Sequence, residues 1–247
     1  MVDTGALFYD NPEVFATYLE RRNQPTSAND TLELPVIREL LPPLQGLDLL
    51  DLGCGDAALA PELLARGAAG YHGIDGSNNM IRLAQRRLES AAGPARASQG
   101  FIEDPEIYPP AAYDLVLSRL AFHYLESLPA TFTQIHGTLR PQGWLVFSVE
   151  HPVITSHQLS IKQGSNRQDW VVDRYFSTGR RQFKWMGGEV IKYHHTLEDY
   201  FQALKSSGFS IEDLRESRPR PELFTDRKLL ERRSRVPLYL FFQARRR

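Results

Sequence analysis

The sequence predicts an α/β fold in which a mostly parallel sheet carries helices on both faces. Apolar segments of strand length alternate with segments of helical periodicity between residues 47 and 149. This alternation is typical of parallel strands joined by helical crossovers. A glycine-rich turn follows the first of these strands, and ligands bind such sheets outside the carboxyl ends of their strands. We therefore expect the functional site at that edge.

The predicted elements follow one another in a regular order. Two helical segments occupy the chain up to residue 42, with a polar break at residues 23–30 and a stop at Pro42-Pro43. Strands are expected at residues 47–52, 71–75, 97–102, 113–118 and 144–149, and helices at residues 57–66, 78–88 and 131–139. A helix at 197–206 and strands at 210–214 and 236–244 complete the pattern.

The rhythm of helices and strands lapses between residues 151 and 196. This stretch is far longer than an ordinary connection, and it is rich in aromatic residues and arginine, which favours a substrate cap. Short strands are expected within it at residues 182–186 and 190–193. We predict a single domain of 247 residues. Its parts are an N-terminal helical cover (1–43), a core that binds the cofactor (44–150), the cap insertion (151–196) and the segment that completes the sheet (197–247).

Composition limits the classes of function. A hydrophobic share of 42% and a charged share of 24% are typical of a soluble globular protein, and a net charge of −1 gives no electrostatic footprint for nucleic acid. The arginines at residues 232–235 and 245–247 are interpreted as solvated charge. No apolar run reaches the roughly 20 residues that span a bilayer, and residues 1–5 lack the pattern of a secretory signal.

The single cysteine, Cys54, excludes an internal disulfide and fits a reducing compartment. We therefore expect a cytoplasmic protein that acts on a small-molecule substrate, with neither a nucleic-acid nor a membrane partner. A monomer or a homodimer is expected.

The turn Asp51-Leu-Gly-Cys-Gly-Asp-Ala57 has the features of a ligand-binding loop. Gly53 and Gly55 allow close approach of the backbone to a ligand, and the helix that follows presents free N–H groups. Asp75 ends the next strand, where a carboxylate can accept hydrogen bonds from both hydroxyls of a ribose. A glycine turn alone also occurs in nicotinamide and flavin folds. A tight turn without a ligand, and Asp75 as an ordinary residue at a helix N-terminus, remain open at this point.

Several motifs in the correct order resemble the class I S-adenosylmethionine-dependent methyltransferases of the small-molecule type. The resemblance covers about residues 35–150 and rests on Leu50-Asp-Leu-Gly-Cys-Gly-Asp56, Gly73-Ile-Asp-Gly-Ser-Asn-Asn-Met80, Gly100-Phe-Ile-Glu-Asp104, Tyr113-Asp-Leu-Val-Leu-Ser-Arg-Leu-Ala-Phe-His-Tyr124 and Leu139-Arg-Pro-Gln-Gly-Trp-Leu-Val-Phe-Ser-Val149. It implies a Rossmann-like, mostly parallel seven-stranded sheet, with S-adenosyl-L-methionine as cofactor and S-adenosyl-L-homocysteine as product.

The resemblance also implies roles for individual residues. Gly53 and Gly55 would pass beneath the methionine part of the cofactor, Asp51 would lie near its amino group, and Asp75 would hold the ribose. The full set assigned to the cofactor is Asp51, Gly53, Cys54, Gly55, Asp75, Gly76, Ser77, Met80, Ile102, Glu103, Ser118 and Leu120. Two departures from the family pattern matter. Ala57 replaces its third glycine, which requires a helical backbone angle there, and Phe101 replaces its acidic residue before the adenine pair.

Segments outside the core resemble a bacterial, methyltransferase-11-like subgroup that points to a small-molecule acceptor. These segments are Tyr18-Leu-Glu-Arg-Arg22, Phe147-Ser-Val-Glu-His-Pro-Val153 and Val190-Ile-Lys-Tyr-His-His-Thr196. Candidates for closing the substrate pocket are Tyr9, Tyr18, Arg22 and Trp185. Ordinary aromatic core and surface arginine are the alternative roles. Arg180 and Arg181 could hold a carboxylate of the acceptor.

Three residues are candidates for the chemistry. Methyl transfer is an in-line displacement, so the protein contributes mainly positioning and desolvation, and a base is needed only for an acceptor with a tightly held proton. His123 follows the fourth strand and could be that base. Glu150 and His151 end the fifth strand, where the carboxylate could orient the imidazole or bind an acceptor amine. Packing on the cofactor and anchoring of the insertion are the alternative roles.

His195 is a candidate for the acceptor pocket, since it faces away from His194 on a strand. The histidines lack the spacing of a zinc site, so no metal is expected.

The leading hypothesis is an enzyme that methylates an oxygen, nitrogen or carbon atom of a small metabolite. Methylation of RNA or protein would need an open basic face. A cofactor-binding regulatory protein would bind S-adenosylmethionine without methyl loss. A nicotinamide oxidoreductase shares the glycine turn, but the motifs after Asp75 argue against it.

Overall fold

A seven-stranded sheet forms the centre of the computed structural model, which describes residues 3–22, 27–157 and 169–247. The strands in chain order are β1 (Asp3–Thr4), β2 (Asp48–Leu52), β3 (Gly70–Asp75), β4 (Ala95–Gln99), β5 (Tyr113–Arg119), β6 (Leu139–Glu150), β7 (Gly179–Trp185), β8 (Gly188–His194), β9 (Phe209–Glu216) and β10 (Tyr239–Arg246). The helices are α1 (Pro12–Arg22), α2 (Leu34–Leu40), α3 (Ala60–Ala65), α4 (Asn78–Leu88), α5 (Leu128–Thr138), α6 (Pro152–Thr155), α7 (Leu197–Ser206) and α8 (Arg227–Arg233).

The order of strands in the large sheet is β4-β3-β2-β5-β6-β10-β9. The pairs from β4 to β6 are parallel, and β10 runs antiparallel to both of its neighbours, β6 and β9. The chain builds outward from β2 to β4 on one side and then from β5 to β6 on the other, which creates a switch point between β2 and β5. The predicted mostly parallel seven-stranded α/β sheet is confirmed.

Both faces of the sheet are covered by apolar packing, which explains the continuous apolar runs of its strands. Leu50 and Val116 belong to the core on one face, together with α5 and α7. Leu49 and Leu115 belong to the core on the other, together with α2, α3 and α4. Successive residues of one strand therefore enter opposite cores, as the period of two requires.

Two helices in the described residues were not predicted by the sequence pattern, the four-residue α6 and the helix α8. Helix α8 has no buried residue, so it lacks the apolar stripe on which periodicity depends. Its start is fixed by Asp226, whose carboxylate accepts hydrogen bonds from the N–H groups of Lys228 and Leu229. The helices are short, with 11 residues in α1, α4 and α5, and none in the described ranges has the length and apolar character to cross a membrane.

A smaller sheet, in the order β1-β8-β7, joins β1 of the N-terminal segment to two strands of the segment that the sequence marked as a cap. Strands β7 and β8 form a hairpin with Trp185 opposite Gly188. The two turn residues, Met186 (φ 47°) and Gly187 (φ 81°), are both in the left-handed region, as a two-residue type I′ turn requires. Met186, Phe183 and Val190 of the hairpin pack against Phe8 and Val14, so the hairpin and the N-terminal segment share one small core.

Two acidic residues attach the N-terminal segment to the rest of the protein, Glu33 to the large sheet and Asp10 to the start of α4. The buried Glu33 accepts bonds from the Arg119 guanidinium, with Nε to Oε1 at 3.0 Å, and from the Ser148 hydroxyl at 2.8 Å. Asp10 accepts a bond from the Ser77 hydroxyl at 2.6 Å and another from the Asn79 N–H at 3.1 Å. Loss of Arg119 would leave the buried charge of Glu33 unpaired, so this ion pair helps to fix where the N-terminal segment sits.

The packing of the hairpin predicts that Gly188→Ala destabilises the protein. A Cβ at this position would lie 2.7 Å from Cε2 of Phe8, which is buried and cannot move aside. Overpacking of this kind costs about 1–3 kcal/mol. The measurement is urea unfolding followed by circular dichroism.

The matched control is Gly137→Ala in α5, where a Cβ meets nothing within 4 Å. This substitution is expected to raise the free energy of unfolding by up to about 1 kcal/mol. Equal effects of the two alanines would contradict the packing of β8 on Phe8.

Candidate active site

A cavity of about 720 Å³ lies at the carboxyl ends of the central strands. Each neighbouring strand contributes to its lining: Gly55 follows β2, Asp75 ends β3, Leu120 follows β5 and Glu150 ends β6. The volume falls in the upper part of the range of ligand pockets, roughly 300–1,000 Å³. The cavity is thus at the switch point between β2 and β5, where the sequence predicts the site.

The turn after β2 requires glycine at its closest approach to the rest of the site. Gly53 has φ 71°, and a Cβ there would lie 2.5 Å from Cβ of Ala121. Gly55 has φ 56°, and a Cβ there would meet nothing within 4 Å, so its backbone borders open space. Both glycines line the cavity.

The backbone at Ala57 differs from the expectation. A right-handed helical angle was expected where alanine replaces the family's third glycine, but Ala57 has φ 52°, in the left-handed region. The residue precedes α3 and its side chain is buried in the core beneath the turn. Alanine therefore keeps the glycine-like conformation at a strain that the surrounding packing must offset.

Asp75 joins the glycine turn to the start of α4. Its Oδ2 accepts the Gly55 N–H at 2.9 Å and its Oδ1 accepts the Ser77 N–H at 2.9 Å. Burial raises the pKa of Asp75, while these two backbone bonds lower it. Each carboxylate oxygen accepts one backbone bond and keeps a second lone pair. The carboxylate can therefore hold the turn and still accept hydrogen bonds from a ligand.

Asp51, at the end of β2, is a buried carboxylate with one unused oxygen. Oδ2 accepts the Tyr71 hydroxyl at 2.7 Å, whereas Oδ1 is buried and has no hydrogen-bond partner among the described residues. Burial raises the pKa of Asp51 to about 6, although the Tyr71 hydroxyl lowers it. An unpartnered buried oxygen is costly unless a ligand completes its bonding. Asp51 thus fits a cationic donor such as an amino group.

An apolar face lies beside Asp75. Phe101, Ile102, Met80 and Gly76 all line the cavity, together with the exposed Glu103. A Cβ on Gly76 would lie 2.9 Å from a ring carbon of Phe101, so the Phe101 ring can occupy this position because residue 76 is glycine. A flat heterocycle fits between such side chains, with Glu103 available for its amino group.

Four residues assigned to the cofactor by resemblance are not among those that line the cavity: Asp51, which is buried, Cys54, Ser77 and Ser118. Cys54 packs its thiol beneath the turn near Gly73, and burial raises the pKa of that thiol well above its usual value. Ser77 is fully buried and caps α4 by accepting the Met80 N–H. The hydroxyl of Ser118 is buried and donates to the Leu52 carbonyl at 2.9 Å, between β5 and β2.

The opposite end of the cavity contains a buried ion pair. Lys192 on β8 has its Nζ 2.5 Å from Oε1 of Glu150, and the lysine is only 4% exposed. The rings of Tyr124, Phe183 and Trp185 surround Nζ, with their centroids at 5.7, 5.4 and 5.3 Å. Burial alone would raise the pKa of Glu150, but Lys192 holds it below its usual value. Both residues line the cavity, and Lys192 was absent from the predicted site.

His123 lines the cavity beside this pair and is neutral. Its Nδ1 accepts the backbone N–H of Glu150 at 3.3 Å. Burial lowers the pKa of His123 to about 3. A neutral imidazole whose Nδ1 accepts a bond carries its proton on Nε2. His123 therefore offers the cavity a hydrogen-bond donor rather than a basic lone pair.

Tyrosines join the two ends of the cavity. The hydroxyls of Tyr9 and Tyr124 are 3.4 Å apart. Burial, together with the carboxylates of Glu150 and Asp75, raises the pKa of Tyr9 to about 12. Tyr18, whose ring contacts that of Tyr9, and Trp185 also line the cavity. Of the predicted closing residues, Tyr9, Tyr18 and Trp185 come together, and the side chain of Arg22 lies outside the described residues.

The structure separates two residues that the sequence suggested as a pair. Glu150 turns to Lys192, while His151 Nε2 lies 3.0 Å from Oε1 of Glu216 and its Nδ1 accepts the Val153 N–H at the start of α6. Adjacent residues at the end of a strand point to opposite sides, so one cannot orient the other. His151 is not among the residues that line the cavity, and it caps α6.

His195 and Arg181 also have other partners. His195 Nε2 lies 2.9 Å from the Leu125 carbonyl, and the ring packs on Tyr200 outside the lining of the cavity. Arg181 bonds the carbonyls of Ser177, Gly179 and Arg180. Among the described residues, no three His, Cys, Asp or Glu side chains are placed to hold a metal ion.

Arg119, Arg233 and Tyr239 line the cavity and were not predicted as site residues. Arg119 directly follows Ser118, which was assigned to the cofactor. Its ion pair with Glu33 could not be predicted from a local pattern, because the two residues are 86 positions apart. Arg233 belongs to a basic stretch that the sequence analysis interpreted as solvated. Strand β10 lies between β6 and β9, and the end of α8, which precedes β10 in the chain, lies beside the cavity.

Comparisons with known proteins agree with this geometry. A family model described as a methyltransferase domain matches residues 18–214. The structure of an S-adenosylmethionine-dependent methyltransferase from Mesorhizobium loti is 32% identical, with a TM-score of 0.77 over 90% of this chain and 99% of that chain. A candidate methyltransferase of the same kind from Listeria monocytogenes is 34% identical, with a TM-score of 0.79 over 87% and 96%. An uncharacterized protein from Haemophilus influenzae is 32% identical over 96% of each chain.

The family match extends over most of the chain, from α1 to β9. The two solved structures resemble this chain in sequence, at 34% and 32% identity, and in fold over nearly their full lengths. The glycine turn, Asp75 and most of the residues that line the cavity lie within the matched region. The chain therefore belongs to the class I S-adenosylmethionine-dependent methyltransferases.

Proposed function

We propose that the protein transfers the methyl group of S-adenosylmethionine to an oxygen, nitrogen or carbon atom of a small-molecule acceptor. One observation carries the proposal. A single cavity runs from the glycine turn and Asp75 to the Glu150–Lys192 pair, with the tyrosines Tyr9 and Tyr124 in between. It therefore offers a cofactor end and a polar end in one enclosure.

The residues at the cofactor end fit the chemistry of each part of S-adenosylmethionine. The unpartnered Oδ1 of Asp51 suits the ammonium of the methionine part, and the remaining lone pairs of Asp75 suit the ribose hydroxyls. At Gly53, Gly55 and Leu120 the backbone can approach the cofactor closely. The face made by Gly76, Met80, Phe101, Ile102 and Glu103 suits adenine. We assign Cys54, Ser77 and Ser118 an indirect role, because they hold the turn, α4 and β5 in place.

The bound cofactor supplies an electrophilic methyl group on a positively charged sulfur. The task that remains for the chain is to orient the acceptor and exclude water. Glu150, Lys192 and His123 are polar side chains of the lining that can orient the acceptor. His123 suits a hydrogen-bond donor better than a general base, because its Nδ1 lone pair is taken and its pKa is low. His151 is assigned to holding α6 rather than to the chemistry.

A small acceptor is favoured by what covers the cavity. Tyr9 and Tyr18 of the N-terminal segment and Trp185 and Met186 of the hairpin line it on the side away from the sheet. This enclosure suits a metabolite rather than an exposed loop of RNA or protein. The proposal includes no nucleic-acid partner, a cytoplasmic location consistent with the single Cys54, and a monomer or homodimer.

The experiment that tests this function separates acceptor classes. The protein is incubated with radiolabelled S-adenosylmethionine and three fractions of one bacterial lysate: metabolites below the cut-off of a filter, purified RNA and purified protein. Transfer of label to the metabolite fraction is expected. Label in RNA or protein alone would contradict a small acceptor, and binding of the cofactor without transfer to any fraction would favour a regulatory role.

Asp75 provides a direct test of the cofactor end. Asp75→Asn keeps the size of the side chain but removes the negative charge that strengthens ribose hydrogen bonds. The affinity for S-adenosylhomocysteine in calorimetry is expected to fall by about 1–3 kcal/mol. The matched control is Asp114→Asn, because Asp114 lies at the start of β5 and pairs with Arg140 at the opposite edge of the sheet. Equal affinities of the two variants would remove the ribose assignment.

Asp51 predicts a pH dependence of cofactor binding. Its pKa of about 6 lies above the ordinary value of 3.8, so the carboxylate gains a proton as the pH falls through about 6 and loses its attraction for an ammonium group. The affinity for S-adenosylhomocysteine is therefore expected to weaken as the pH falls from 8 to 5. Asp51→Asn should flatten this profile.

Tyr71→Phe gives a second test with a defined direction. The Tyr71 hydroxyl stabilises the ionised Asp51, so its removal should move the midpoint of the profile above about 6. A midpoint that is unchanged in Tyr71→Phe, or a pH profile that survives in Asp51→Asn, would assign the titration to another group.

A further inference from the structure

The polar end of the cavity is richer in donors than in acceptors. The Lys192 ammonium has three N–H groups and uses one for Glu150, so two remain. The Nδ1 of His123 accepts the Glu150 N–H, so its Nε2–H remains. The hydroxyls of Tyr9 and Tyr124 share one hydrogen bond, so one of their two hydrogens remains. Glu150 is the one carboxylate at this end of the described cavity, and Lys192 already occupies it.

The surroundings of Lys192 make its charge effective. The side chain is 4% exposed and three aromatic rings lie around Nζ, which keeps water away. An ionic contact is much stronger in such a dry site than in bulk water. A second anion beside Glu150 would give this end one net negative charge, and the positive sulfur of a bound cofactor would balance it. The arrangement thus fits a negatively charged acceptor atom.

The shape of this end favours a flat molecule. The cavity lining includes the aromatic side chains of Tyr9, Tyr18, Tyr124 and Trp185. The ring of Trp185 lies beside Nζ of Lys192, and the ring of Tyr18 contacts that of Tyr9. Aromatic walls contact a planar ring more extensively than a flexible chain, and stacked or edge-on ring contacts add to its burial.

We propose that the acceptor is a ring-bearing molecule whose hydroxyl reacts as its oxyanion, held by the ammonium of Lys192 and the Nε2–H of His123. The proposal rests on the proposed methyl transfer and names its substrate class, which is an ionisable phenol-type hydroxyl. Lys192 is then a catalytic residue, since it touches the reacting oxygen.

The step balances without a general base on the protein. The hydroxyl proton goes to solvent when the acceptor ionises. The oxyanion then uses a lone pair to form an O–C bond to the methyl carbon, while the C–S bond breaks and its electron pair goes to sulfur. One negative and one positive charge disappear, so a site poor in water favours the reaction. The neutral His123 and the weakly basic Glu150 are consistent with a step in which no proton moves.

An amine acceptor fits this end less well. A neutral amine would present N–H groups to Lys192, His123 and the tyrosine pair, which are donors themselves. Its one carboxylate partner would be Glu150, and a bond there would compete with Lys192. Donor groups that face donor groups stay unsatisfied in a buried site, which is costly.

The experiment uses 4-nitrophenol, whose ionised form absorbs visible light and whose neutral form does not. The protein is saturated with sinefungin, which has a positively charged amine where S-adenosylmethionine has its sulfonium and has no methyl group to transfer, and is titrated into the probe at a pH below the pKa of the free phenol. The phenolate band is expected to appear on binding, and 4-nitroaniline is expected to bind at least roughly tenfold more weakly.

Two variants with opposite expected effects on phenolate binding separate the role of the Lys192 charge from a purely structural role. Lys192→Met should abolish the phenolate band and weaken binding by roughly tenfold or more, because the counter-charge is lost. Glu150→Gln keeps Lys192 and removes its competing anion, so the phenolate should bind more tightly than in the wild type. Lys184→Met is the matched control, since Lys184 lies on the same hairpin, is exposed and is not part of the cavity lining.

The outcomes are distinct. Binding of S-adenosylhomocysteine by every variant, with the band lost in Lys192→Met and strengthened in Glu150→Gln, supports the proposal. If the cofactor product binds but nitrophenol binds in its neutral form, binds equally in Lys192→Met, or does not bind, the oxyanion proposal is overturned while the methyltransferase function stands. Failure of S-adenosylhomocysteine to bind the wild type overturns the proposed function itself.

Discussion

The site depends on one constraint, that parallel strands place all of their carboxyl ends at the same edge of a sheet. Strands β2, β3, β5 and β6 run in one direction, so the residues that follow them meet at the switch point even though they are far apart in sequence. The glycine turn and Leu120 directly follow their strands, and Asp75 and Glu150 are the last residues of theirs. The apolar cores on both faces of the sheet maintain this geometry.

The sheet edge alone would leave the cavity open, and the chain covers it with two segments that depend on each other. The N-terminal segment is tied to the sheet by Glu33 and to α4 by Asp10. The β7–β8 hairpin packs on Phe8 and Val14 and pairs with β1. Lys192 reaches the cavity because β8 lies against this segment, with Glu150 as its partner at the sheet edge. The acceptor end therefore combines residues of both coverings with Glu150 and His123 of the sheet edge, whereas the cofactor end belongs mainly to the sheet.

This division explains what the sequence could and could not predict. Short stretches of sequence predict the strands, the glycine turn and Asp75. The strands are apolar runs, the turn contains glycines that adopt left-handed angles, and Asp75 is a carboxylate at the end of a strand. The Glu150–Lys192 pair joins residues 42 positions apart, and no local pattern reports it. Arg233 lies on a helix without an apolar stripe, and the left-handed angle of Ala57 depends on tertiary packing. Adjacency in sequence also misled at Glu150 and His151, which point to different partners.

The geometry of the site implies that the sheet edge between β2 and β5 binds S-adenosylmethionine. This assignment is tested by calorimetric titration of the protein with S-adenosylmethionine, S-adenosylhomocysteine and NAD, side by side. The first two are expected to bind at one site per chain and to displace each other, while NAD is expected to produce no heat of binding. Binding of NAD in place of the other two, or no binding of any of them, would contradict the assignment of Asp51 and Asp75 to this cofactor.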